Sequence, residues 1–365
     1  MPSNLNRLQE FIKAFPDKGW NWNSLSWNPN ITMKEVRAHS DKQWNWGALS
    51  SNPNITIGEI LAYPDKPWNW IQWNRNSNIT MKDVLAHSAN IRDWWRISLN
   101  PNITLEDVES HPDLPWNWDG LSKNPNITIK FILANLNKEW NWHWLSSNSG
   151  ITIGDIEDNP NLPWNWDDVG LNPNITIEDV KRRPDKEWNW LYLSVNDNTT
   201  MEDVVTCLDK PWDWWALSMN RNTTIKHVND HQNERWTWVE LSGNPNITID
   251  DVINYPSRPW DWQQLSCNPG ISIKDILAHP DLPWNWAEVS LNPTLTVEDV
   301  KSNPDKPWDW TSLSNNLFCR SPDLQLIVTR KMSRVRAKNR SKMYHKILRL
   351  HPTLYFDLIR LASNY

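Results

Sequence analysis

Glycine is nearly missing from this chain, with nine residues in 365. So thin a supply goes with the absence of any phosphate-cradling glycine loop. Cysteine is scarcer still: Cys207, Cys267 and Cys319 are an odd number without metal-ligand spacing, which points to a reducing interior and against a disulfide framework. The N-terminal MPSNLNRLQEFIKAF lacks the unbroken apolar core of a secretory signal. No stretch approaches the ~20 apolar residues that span a bilayer. A Ser/His/Asp arrangement and an HExxH are absent too. These gaps lead us to expect a soluble intracellular protein with no membrane partner, no cofactor, no metal, no small-molecule substrate and no enzymatic activity.

What fills the space is tryptophan. Thirty Trp and 26 Pro stand in a chain that is only 39% hydrophobic, so indole rings must supply much of the buried area. The net charge of −6 hides a polarity: residues 318–365 hold eleven Lys/Arg and two Asp/Glu, leaving 26 basic against 41 acidic residues elsewhere.

The tryptophans are periodic. In WNW and WDW pairs the second ring falls at Trp22, Trp46, Trp70, Trp94 and so on to Trp310, thirteen times at intervals of 24 residues. The first ring keeps the same interval from Trp20 to Trp308, with Arg92 the one substitution. Asn follows six places after the second Trp in every copy, from Asn28 to Asn316, and Thr or Ser four places later in twelve. A period held without insertion implies identical units stacked on one another.

The unit reads approximately WNWxxLSxNPNITIxDVLAHPDKP. Thr32-Met-Lys-Glu35 and Thr104-Leu-Glu-Asp107 are helix-start boxes, in which hydroxyl and carboxylate satisfy the free N–H groups of the first turn. Proline ends that helix after about two turns, as at Pro64 and Pro112. Asp65-Lys-Pro-Trp68 then opens a second short helix; Trp at i and i+2 cannot share one α-helical face, so either the helix is 3-10-like or its two rings point at different neighbours. Phe131 and His227 interrupt the carboxylate column and mark the weakest caps. A β-solenoid is the rival, since WNW and NITI alternate as strands do, but the prolines and capping boxes favour helices. The expected organisation is a capping half-repeat over 1–19, an all-α solenoid of about thirteen repeats over 20–319, and a basic helical cap over 320–365.

The string Leu121-Ser-Lys-Asn-Pro-Asn-Ile-Thr128, with a preceding PWNW, resembles the Trp-rich repeats encoded by giant DNA viruses of amoebae. The 24-residue length is also similar to the leucine-rich repeat variant, which alternates α- and 3-10 helices in a right-handed superhelix. The resemblance implies a right-handed α-solenoid, and a viral protein at work in an infected cell or packaged in a particle. It brings no activity, and the iron–sulfur cysteines of some leucine-rich repeat variants have no counterpart here.

Residues common to all copies belong to the fold, so recognition must lie where copies differ. The ladder tryptophans are read as core, pointing inward. The Asn ladder is read as bonding the backbone of the adjacent unit. His39, His87, His111 and His279 suit helix C-termini, and N-x-T sequons such as Asn30-Ile-Thr32 fall out of the capping motif. The variable positions are the two after the second Trp and the one before the Asn. Candidate protein contacts are Trp27, Trp73, Trp95, Arg96, His143, Trp144, Tyr192 and Trp215. The expected function is a non-enzymatic scaffold binding a protein partner. The alternative is nucleic-acid association through the basic run Arg330, Lys331, Arg334, Arg336, Lys338, Arg340 and Lys342. That run has no interleaved aromatics for base stacking, and a solvated helix sealing the last repeat is its plainer reading.

Overall fold

The computed structural model describes residues 7–318. Among them are 26 α-helices of four to eight residues, one 3-10 turn at Ser88–Asn90 and no strand. Two short helices recur about every 24 residues, so the chain is an all-α, solenoid-like repeat protein. The expected basic cap over 320–365, with its candidate nucleic-acid contacts, lies outside the described residues. Contacts divide the chain into two compact units, Met1–Asn78 with Trp238–Tyr365, and Ile79–Thr237.

The first helix of each repeat starts where the sequence places it. In the first unit, Glu35 Oε2 accepts the Thr32 N–H at 3.1 Å ahead of the helix Met33–Ala38; in the second, Asp107 Oδ2 accepts that of Thr104 at 2.8 Å. Phe131 breaks the box as expected, leaving the hydroxyl of Thr128 as the only cap. His227 does not. Its Nδ1 lies 3.1 Å from the Thr224 N–H and takes the carboxylate's place as acceptor. At the other end, the Nδ1 atoms of His111 and His279 sit 3.0 and 2.9 Å from the carbonyls of Asp107 and Asp275, in the last turn.

The second helix begins later than expected. Asp65 and Lys66 form a turn, closed by the Lys66 N–H on Tyr63 O at 3.2 Å, and the helix Trp70–Trp73 is capped by Asn69, which accepts the Gln72 N–H at 3.1 Å. The cap is therefore the residue between the two tryptophans, not the aspartate before them. Trp68 lies in the extended link, where its indole N–H reaches Tyr63 O at 2.8 Å. Trp70 is the first helical residue. Only one ring of each pair thus has to be seated on a helix, which removes the reason for a 3-10 geometry.

Two side-chain ladders tie successive repeats together. The Asn ladder behaves as expected: Asn52 Nδ2 donates to Asn28 O at 2.9 Å in the first unit, and Asn124 Nδ2 to the carbonyls of Ser98, Asn100 and Ile103 at 2.9–3.1 Å in the second. Sequon asparagines are engaged as well, Asn126 Nδ2 donating to Pro101 O at 2.7 Å. The serine ladder was not anticipated. Ser146 Oγ donates to Trp142 O at 2.7 Å and accepts the Asn165 N–H of the following repeat at 2.9 Å.

The tryptophan expectation holds for one ring in two. First rings such as Trp44, Trp140 and Trp308 are buried, and each donates its N–H to the carbonyl five residues back. Second rings such as Trp22 and Trp118 are half-buried and stand edge-on to the first ring of the next repeat, with Trp22–Trp44 and Trp118–Trp140 centroids both 4.9 Å apart. The face left over carries a cation, as with Lys138 5.2 Å above Trp118. The rings still link neighbouring repeats, but it is the first of the pair that is buried, with Trp68 and Trp236 half-buried even there.

Within the first unit, the N-terminal half-repeat is not a free end. The helix Arg7–Ala14 takes the place of a first helix ahead of Trp20 and packs on Val297–Ser302. Phe11 stacks on Phe318 at 4.8 Å, and Asn28 Nδ2 donates to Ser314 O and Asn316 O at 3.1 and 3.0 Å. Residues 7–30 thus pack against the last repeat.

Candidate functional site

The positions that vary between copies gather on the second helices. Of these positions only the second residue of the helix is unburied in every copy; the third is buried at Ala48, Gly120, Asp168, Ala216 and Glu288, and the one before the ladder Asn at Ser51, Leu99, Lys123, Cys267 and Leu291. In the second unit, Trp94–Leu99, Trp142–Ser146 and Trp190–Val195 place Trp95, Arg96, His143, Trp144 and Tyr192 in these positions. All five are at least partly open to solvent, as is Trp215 on Trp214–Met219.

Trp27 is 47% exposed, but it stands in the first unit on Trp22–Trp27. Trp73 is a correction. It is 1% exposed, because it occupies the position filled by core Leu25 and Leu49 in the two preceding repeats. An enclosed ring has no face for a partner.

Three of the remaining candidates converge on a residue that sequence reasoning passed over. A Cβ on Gly120 would lie 2.5 Å from Trp95 O, so glycine there lets Trp118–Leu121 approach Trp94–Leu99 closely. The approach brings Lys123 between two indoles: its Nζ lies 3.2 Å from the ring centroid of Trp144 and 5.2 Å from that of Trp95. The Arg96 guanidinium covers Trp95 at 5.2 Å. Asp119 closes the same cluster: one of its oxygens accepts the Trp95 indole N–H at 2.8 Å and the other binds the Asn141 amide.

Lys123 is 6% exposed, and its ammonium, held between the two rings, is not sealed off as a buried atom without a partner. Burial pulls its pKa from the ordinary lysine value down to about 8; the charge of Asp119 opposes the fall and that of Arg96 adds to it.

A second cluster lies further along the strip. His143 Nδ1 meets Asp168 Oδ2 at 2.7 Å. Burial raises the Asp168 carboxyl above the usual range in spite of that bond, and burial with the Asp168 and Asp167 charges raises the Tyr192 phenol. Lys123 and Asp168 sit in the variable columns already singled out. A lysine in the column that holds Trp27, Ser51 and Leu99 in other copies was the available signal.

Among the described residues no group of His, Cys, Asp and Glu could hold a metal ion, and no helix is long and apolar enough to cross a membrane. No family model, curated protein or solved structure matches the chain.

Proposed function

We propose that the protein is a non-enzymatic repeat scaffold that binds a protein partner along the variable strip of its second helices. The observation that carries this reading is the sorting of residues by column. Columns that repeat are spent on packing and backbone satisfaction, while the varying ones leave Trp95, Arg96, His143, Trp144, Tyr192 and Trp215 part-exposed. Part-exposed Trp, Tyr and Arg are the residue types that dominate protein interfaces. The LSxNPNIT resemblance is the sole ground for extending the proposal to a viral protein acting in an infected cell.

The test replaces Trp95, Trp144 and Trp215 together by alanine. Partners captured by the parent protein should be lost by the variant while melting remains cooperative, at a midpoint lowered only by the loss of the Trp95–Asp119 bond and the ring contacts to Lys123. Unchanged capture would refute the assignment. A large fall in helicity would show these rings to be core instead.

A further inference from the structure

We propose that the open face of Trp214, with Glu234 in the column that faces it, is a cation subsite that receives a lysine or arginine side chain of the partner. The inference rests on the protein-binding reading above.

The fold itself shows what the face of a second ring takes. In seven copies the residue two places before a first Trp lays its cation over the second ring of the repeat it packs on. Lys66 Nζ lies 5.7 Å from the centroid of Trp46, Lys186 Nζ 5.2 Å from that of Trp166, and Arg258 Cζ 5.2 Å from that of Trp238. The attraction is that of a positive charge for the negative face of the ring. The space over such a ring is a cleft. At Trp286 it measures about 240 Å³ and is lined by Leu277, Pro280, Asp305, Lys306 and Pro307.

Glu234 is the one copy in which this column turns negative; Leu114, Leu162 and Leu282 only remove the charge. Its backbone keeps the register of the lysines. The Glu234 N–H donates to His231 O at 3.2 Å and the Trp236 N–H to Glu234 O at 2.9 Å, as Lys66 does to Tyr63 O at 3.2 Å and Trp68 to Lys66 O at 2.8 Å. The rings match too, with Trp214–Trp236 and Trp46–Trp68 centroids both 4.8 Å apart. Glu234 therefore leaves the backbone where Lys66 does, with the opposite charge. A carboxylate gains nothing from an indole face. Among the described residues Glu234 has no ion pair, and no cation stands over half-buried Trp214, whose ring contact is Trp236. A bare indole face next to an unpaired carboxylate fits a side chain with an apolar stem and a cationic head. A lysine or arginine from outside restores what seven copies make within the chain. Trp215, a candidate contact of the variable strip, is the next residue on the same helix.

The experiment titrates the full chain with N-acetyl-lysine amide, and with N-acetyl-norleucine amide as the uncharged probe, at equal ionic strength. The indole N–H resonance of Trp214, assigned by its loss in Trp214→Phe, is followed through both titrations. The lysine probe should shift it saturably, with the norleucine probe inert. Glu234→Gln should weaken the lysine probe several-fold. Glu234→Lys should abolish its binding, because the chain then fills its own site as Lys66 and Lys186 do. Equal response to the two probes, or unchanged affinity in either variant, overturns the subsite. Partner capture should also fall several-fold in Glu234→Lys, and unchanged capture there would remove the site from recognition. The outcome is separable from the scaffold reading. Binding of the lysine probe together with partner capture that survives the triple tryptophan variant would sink the scaffold and leave a cation site. Partner capture lost in the triple variant without binding of the lysine probe would do the reverse.

Discussion

The backbone N–H of Asn21 donates to Ser314 Oγ at 2.9 Å, and the same bond joins Asn45 to Ser26 at the same distance. In the second pair the residues are 19 positions apart and in the first 293, yet the geometry is one. The repeat without a predecessor in sequence has one in space. Phe11, fully enclosed against Phe318, should therefore behave as a core residue although it lies near the N-terminus. Phe11→Ala should destabilise the first unit by about 3–5 kcal/mol in urea unfolding. A loss within the ~0.5 kcal/mol of ordinary surface changes would show the contact to be incidental.

The Asn ladder gives a second expectation. Asn172 is wholly buried, and its Nδ2 serves Ser146 O, Asn148 O and Ile151 O at 2.9–3.1 Å, while its Oδ1 accepts the Asn174 N–H. Asn172→Ala leaves several buried backbone groups without a partner at roughly 1 kcal/mol or more each, a total of about 3 kcal/mol. Asn172→Asp should be no milder, because a carboxylate cannot donate to three carbonyls. Equilibrium unfolding of both variants measures this, and full stability in the aspartate variant would contradict the assigned bonds.

How much of this was legible depended on whether a residue's partner lay inside its own repeat. Thr32 with Glu35 could be read from spacing alone, because a capping box is local. Asn28 was legible by strict repetition, although its partners were not. The start of the second helix was misread because Asp65 and Asn69 are both good caps, and the choice between them turned on how Trp68 is seated. Trp73 was taken for a contact because it is off-pattern, when it is a larger ring in a core leucine column. The pairing of the first repeat with the last, and the enclosure of Lys123 by rings from two other repeats, depend on three-dimensional register, which no spacing records.

Trp27 and Trp73 make a direct comparison, since each breaks the pattern of its own column. Trp73→Ala should cost about 3–5 kcal/mol, whereas Trp27→Ala, at an exposed position, should stay within about 0.5 kcal/mol. Both lie in the first unit, so a single denaturant series measures them against one baseline. Equal losses would mean that the burial difference between 1% and 47% has been misassigned.

His227 provides a pH signature. Its Nδ1 must be unprotonated to accept the Thr224 N–H, and burial lowers its pKa below the ordinary histidine value. The unfolded chain therefore binds this proton more readily than the folded one. The contribution to stability is complete above the unfolded histidine pKa, ~6.5, and is lost as pH falls through the window down to the folded value. Replacing it by aspartate restores the carboxylate of the other repeats and should flatten that slope in melting curves between pH 7 and about 5. An unchanged slope in His227→Asp would assign the pH dependence to other groups.

Lys123 should reveal itself through stability before any partner is known. Its folded pKa of about 8 lies below the unfolded lysine value. The charged form is disfavoured in the folded state, so this residue weakens the fold at and below pH 8 and progressively less as pH rises towards the unfolded pKa, ~10.4. Lys123→Met keeps the length and apolar stem while removing the buried charge, and such replacements are often neutral or stabilising. The variant should melt higher than the parent at pH 7, with the gap closing as pH approaches 10. A variant less stable at pH 7 would mean that the indole faces of Trp95 and Trp144 outweigh the cost of enclosing the ammonium.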